Sequence, residues 1–260
     1  MPALSSVGVL VVVAVIGGLG AGALINILAD VLPREELKWE LAGCPKCGRR
    51  LPGRWLLPVL GFAWLGGRCP ACGEALPRRH LWVAVAAPLA LLLVVWRVAA
   101  QPPGALPLAG LFALYGLVTL VLLLIFVIDL EHHLILDVVT YPAIVALVVL
   151  GVVFNHRLLF LMVVGGVIAG GLFALFYGLA YLIYHTDALG LGDVKLAVFL
   201  GVLTGWPVVL TALLYGTLAG AATGMVLMMT QRADRQTMIP LGTGLSAGAF
   251  LALLFTPLLW

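Results

Sequence analysis

Two aspartates, far apart in the chain, carry the chemistry that this sequence offers. Asp129 closes an apolar run in LLLIFVIDLEHHLILD, and Asp193 opens another in GLGDVKLAVFLG. Charged side chains are costly in such surroundings and mark functional sites. Two aspartates brought close together cannot both ionise, so they share one proton. One then takes a proton from water while the other gives one to a carbonyl. An amide is hydrolysed in this way without metal or side-chain nucleophile. Gly190 and Gly192 let the backbone turn tightly before Asp193 and let a substrate strand come close. Each residue also has a plainer reading. Asp193 is equally suited to cap a helix N-terminus. Asp129 and Asp137 are suited to end or begin a span. Lys195 either snorkels to the surface or pairs with a carboxylate. His132 and His133 read as solvated loop residues rather than metal ligands.

The elements that must hold these residues follow from the apolar runs. Of 260 residues, 63% are hydrophobic and only 10% are charged. An ordinary soluble domain carries about 25% charged residues. The pattern predicts an all-α polytopic membrane protein with about eight transmembrane helices, each compared with the roughly 20 residues needed to cross. The spans fall near 5–29, 80–99, 107–128, 138–154, 158–184, 194–205, 207–230 and 238–258. The sixth is short and suits a half-helix packed inside the bundle. The first is too long, and too poor in early basic residues, for a cleaved signal peptide. Its GGLGAGAL stretch suits close helix packing in lipid. Three regions result: a first helix over 1–29, a polar insert over 30–79, and a helical bundle over 80–260 that carries the aspartates.

Basic residues set the orientation. With eight spans, twelve of the fourteen Lys and Arg fall on one side, and only Arg97 and Arg157 on the other. The positive-inside rule places the insert in the cytoplasm and both termini outside. Asp129 and Asp193 then sit at cytoplasmic helix ends, at one membrane depth. A net charge of +3 is too small to argue for nucleic acid.

All four cysteines lie in the insert, as CPKCG (44–48) and CPACG (69–73). Paired Cys-x-x-Cys knuckles make a tetrahedral four-thiolate zinc site, here Cys44, Cys47, Cys69 and Cys72. Two disulfides are the other reading, which a cytoplasmic location disfavours. About fifty residues bury little core, so a metal would supply much of the folding energy. Four thiolates leave no open position for a catalytic water, which makes the metal structural.

The order of these motifs resembles the type IV prepilin peptidases, membrane aspartic proteases of the GxGD type. GALINILADVLP (22–33) resembles the family's first-span exit, and the two cysteine knuckles resemble its cytoplasmic insert. IDLEHHLILD (128–137) resembles its first aspartate motif, GLGDVKLAVFLG (190–201) its second, and IPLGTGLSAG (239–248) its closing motif. The resemblance implies that Asp129 and Asp193 are catalytic, with Gly190, Gly192 and Lys195 as supporting motif residues. It implies a multi-pass protein of the bacterial inner membrane that cuts the basic leader from type IV prepilins or pseudopilins on the cytoplasmic side, before the pilin's apolar helix. Asp137 and Glu131 are candidates to hold that leader. Members with the cysteine insert commonly also N-methylate the new N-terminus, with S-adenosylmethionine as donor. Two positions depart from the pattern. Ala84 lies about where the family has Glu, and Leu136 where many members have Pro.

Intramembrane acids beside glycine-broken helices also suit an ion-coupled transporter or channel. Against it stand the lack of an internal repeat and the placement of the acids near one face. A non-catalytic scaffold docking partners through the insert is a third class, disfavoured by the intact aspartates.

Overall fold

The computed structural model describes residues 2–33, 47, 68–69, 71–73, 75, 78–101, 106–154, 156–185, 190–229 and 241–256. Among them are eight α-helices and no β-strand. They are α1 (Pro2–Val31), α2 (Arg79–Ala99), α3 (Leu108–His132), α4 (Asp137–Phe154), α5 (His156–Tyr184), α6 (Leu191–Thr204), α7 (Val208–Met229) and α8 (Leu241–Phe255). Six of them, all except α6 and α8, are long and apolar enough to cross a bilayer. The expected all-α polytopic architecture is therefore present. Large apolar side chains lie exposed on every helix outside the short α8 as well as on it, with Val153 and Leu182 at 72% and 70% accessibility. Water would make such surface unfavourable, whereas lipid chains are a good solvent for it.

Contacts divide the chain into two compact units, residues 1–124 and 125–260. In the first, α1 packs on α2. Small residues make this possible. A methyl group at Gly22 would stand 3.1 Å from the Ala84 Cα, and one at Gly18 would run into the backbone of Pro88. Ala84 is fully buried in this helix–helix contact. At one end of the pair Asn26 and Asp30, one helical turn apart on α1, face Arg79 at the start of α2. The Arg79 Nε donates to Asn26 Oδ1 at 3.2 Å, and its Nη2 pairs with Asp30. Arg79 is buried, and a buried guanidinium is tolerated because it is paired and hydrogen-bonded.

In the second unit, α6 lies at the centre. It packs against α4, α5, α7 and α8, and nearly all of Leu196–Thr204 is buried. Its 14 residues make about 21 Å of helix, short of the roughly 30 Å hydrocarbon layer. Gly205, at φ 63°, ends it by adopting the left-handed conformation, its N–H donating 2.8 Å to the Gly201 carbonyl. Within the apolar run 238–258, α8 covers 15 of the described residues.

Association of helices in lipid depends on close packing, since lipid tails are as apolar as leucine. Gly165 of α5 touches the backbone of Gly201 of α6, and Gly244 and Gly248 of α8 touch that of Gly216 of α7. A side chain at any of these must force two helices apart. Gly165→Val is expected to destabilise the protein by about 2 kcal/mol, the usual size of an overpacking penalty. Reversible unfolding in detergent measures this, and an unchanged midpoint would contradict the packing described.

Candidate active site

Asp129 sits in the last turn of α3 and is only 4% exposed. A carboxylate at a helix C-terminus meets the negative end of the dipole, so its stability there depends on another element. That element is the first turn of α8. The Thr243 N–H donates to Asp129 Oδ2 at 2.6 Å. Thr243 lies in the first turn of the helix, where N–H groups are available to acceptors outside it. The approach is close enough that a methyl group at Gly242 would stand 2.8 Å from the Asp129 carboxyl carbon.

Asp193 enters from the first turn of α6, where the dipole favours a negative charge. Its own N–H donates to the Gly190 carbonyl at 3.1 Å. The chain between α3 and α4 packs against the start of α6. His133 takes the left-handed conformation, φ 53°, and turns the chain sharply. Ile135 of the same loop lies against Gly192, where a methyl group would be 3.1 Å from the Ile135 Cβ. Asp129 and Asp193 lie within electrostatic reach of each other. The arrangement thus holds two acids from separate helices in one poorly solvated place.

Beside them, Lys195 reaches both oxygens of Asp137, at 2.7 and 2.9 Å. Its ammonium lies 5.7 Å from the centre of the Tyr141 ring. Of the two readings open to Lys195, pairing with a carboxylate is the one realised. Glu131 and His132 form an exposed pair at 3.9 Å, and His132 and His133 are both exposed.

Three cysteines of the insert converge. The Sγ atoms of Cys47, Cys69 and Cys72 lie within 4.8 Å of one another, and that of Cys47 is 3.9 Å from that of Cys69. Four sulfurs around a metal at about 2.3 Å sit about 3.8 Å apart. The spacing therefore fits a thiolate metal site and is far too long for a disulfide bond. Cys69–Gly73 forms the knuckle, with the Gly73 N–H donating to the Cys69 carbonyl at 2.9 Å and Gly73 at φ 72°. Cys44 lies outside the described residues.

Two family models match the chain. That of the type IV leader peptidase family covers residues 116–225, which include Asp129 and Asp193. That of the bacterial peptidase A24 N-terminal domain covers residues 16–98, which include the four cysteines. Together they take in just under three quarters of the 260 residues. The chain is thus similar to the type IV leader peptidase family over most of its length. Its relatives include proteins named prepilin leader peptidase/N-methyltransferase. That of Pseudomonas aeruginosa is 28% identical, with 92% of this chain and 88% of the relative covered. That of Stutzerimonas stutzeri is 29% identical, with 94% and 90% covered. That of Dickeya chrysanthemi is 29% identical, with 87% and 77% covered. No solved structure matches the chain.

In this chain, two features of the geometry have roles that the sequence does not assign. Gly242 and Thr243 lie in the IPLGTGLSAG stretch, but the hydrogen bond to Asp129 comes from a backbone N–H, which has no residue-type signature. The Asn26–Asp30–Arg79 cluster did carry a signal, since Asn26 and Asp30 at i and i+4 share a helix face. Arg79 had been counted only among the cations of the insert.

Proposed function

We propose that this protein is a membrane aspartic endopeptidase that removes the basic leader from type IV prepilins or pseudopilins, with Asp129 and Asp193 as its catalytic pair. The observation that carries the reading is the buried Asp129, held by a backbone N–H within electrostatic reach of Asp193. One aspartate takes a proton from a water molecule, whose oxygen adds to the scissile carbonyl carbon. The other gives its proton to the carbonyl oxygen, so a neutral gem-diol forms. As the diol collapses, the first aspartate returns its proton to the leaving nitrogen and the second recovers one from a diol hydroxyl. A peptide and a water become an acid and an amine. The low-dielectric surroundings strengthen each charge interaction in this sequence. Gly190, Gly192 and Lys195 support the local geometry. Asp137 and Glu131 supply negative charge toward the basic leader, with Lys195 offsetting part of it.

We place the protein in the bacterial inner membrane with the cysteine insert in the cytoplasm. Cys47, Cys69 and Cys72, completed by Cys44, would hold a structural zinc ion that ties the insert together. N-methylation of the new N-terminus, with S-adenosylmethionine as donor, is proposed from the names of the relatives and the sequence resemblance. No residue of this chain is assigned to the methyl donor. An ion-coupled transporter using the same acids is not favoured, because the relatives carry the peptidase name.

The test is incubation of the detergent-purified protein with a synthetic prepilin and S-adenosylmethionine, read by mass spectrometry. The expected products are the free leader and a pilin shortened by its mass, then heavier by one methyl group. An intact prepilin after incubation with wild-type protein would overturn the reading.

A further inference from the structure

We infer that the first turn of α8 is a working part of the aspartate pair: Gly242 admits it, and the Thr243 N–H holds Asp129 by Oδ2, leaving Oδ1 as the oxygen that exchanges protons with water and substrate. This rests on the function proposed above and adds positioning residues to it.

Three observations converge. The hydrogen bond is short, 2.6 Å to Oδ2, as expected where an N–H meets a charged carboxylate. An N–H can only donate, so Oδ2 is engaged as an acceptor and the other oxygen is left for proton transfer. The second observation is the space at residue 242. A methyl group there would lie 2.8 Å from Asp129 Cγ, 2.9 Å from Oδ2 and 3.1 Å from Oδ1. Every atom of the carboxyl group would therefore have to move. The third is that α8 cannot slide. In the same turn Gly244 is pressed to the backbone of α7 at Gly216 and Gly220, and about a turn later Gly248 is pressed to it at Gly216. The donor is thus fixed in advance, which is what a reacting group needs if geometry is to be held to a fraction of an ångström.

Neither residue touches the substrate in this scheme. They act through Asp129, so their loss should lower turnover rather than affinity. Thr243→Pro deletes the N–H in the first turn of the helix, where proline is tolerated. Gly242→Ala keeps every N–H and displaces the carboxyl group. In detergent, with a prepilin peptide that the wild-type enzyme cleaves, kcat is expected to fall about 10- to 100-fold for each, the cost of losing one hydrogen bond to a charged group. KM should stay within about twofold, since the interaction lost is one made with a catalytic group. If Thr243→Pro does not fold, as judged by thermal unfolding, Gly242→Ala alone decides. Wild-type turnover in a folded variant, or a loss seen only in KM, overturns the inference. Failure of the wild-type enzyme to cleave would instead strike the proposed function, so the two failures are distinct.

Discussion

An Asp193→Asn protein is expected to insert and fold normally and to leave prepilin uncut, with kcat reduced at least about 1,000-fold. The substitution keeps size and shape and removes only the exchangeable proton. General acid–base catalysis contributes about 10²- to 10⁴-fold for each group, and members of a coupled set are not additive, so one loss approaches the loss of both. Asp129→Asn should be as severe, because an amide oxygen can still accept from the Thr243 N–H but proton transfer is lost. The structural cost should be small at position 193, which lies in an N-terminal turn where asparagine is also accepted. Detergent-phase mass spectrometry, with thermal unfolding of the same samples, separates chemistry from folding. Complete leader removal by the Asp193→Asn enzyme would show that the pair does not do the chemistry.

The second large effect concerns the cysteine cluster. Cys69→Ala is expected to lower bound metal from one ion per chain to nearly none, and to expose residues of the insert to protease. Cys69 is the buried member of the set and lies 3.9 Å from Cys47. A structural zinc site contributes about 10–16 kcal/mol to folding its surroundings, and a small insert has no core of comparable size. Elemental analysis of purified protein and limited proteolysis provide the two readouts. Full metal content in the variant would exclude Cys69 as a ligand. If cleavage survives metal loss while methylation stops, the insert belongs to the methyl-transfer step.

The sequence alone exposed the two aspartates because a charge at the edge of an apolar run is costly, and it showed the shortness of α6 because Gly205, Trp206 and Pro207 divide the apolar stretch after Asp193. The cysteine knuckles were legible from spacing, and three of the four come together as expected. Other parts were hidden for physical reasons. The Thr243 donor is a backbone group, present at every residue but proline. Whether it is used depends on how far α8 can approach Asp129, which small residues on α7 decide. Arg79 reads as one more cation of a basic loop. Its burial depends on Asn26 and Asp30, some fifty residues earlier, and no local pattern shows which arginine will find such partners. The helix ends differ from the apolar runs in the same way. Hydropathy reports what lipid tolerates, while the ends are set by turns such as those at His133 and Gly205.

A helix of 14 residues enclosed by four others has a consequence for the enzyme's dependence on its host membrane. Bilayers differ in thickness, and helices with a lipid-facing surface tilt or stretch in response. The helix that carries Asp193 has little such surface beyond its first turn and is too short to register both leaflets. Cleavage should therefore proceed at similar rates in short-chain and long-chain phospholipids, as if the reactive acid were suspended inside a protein gimbal.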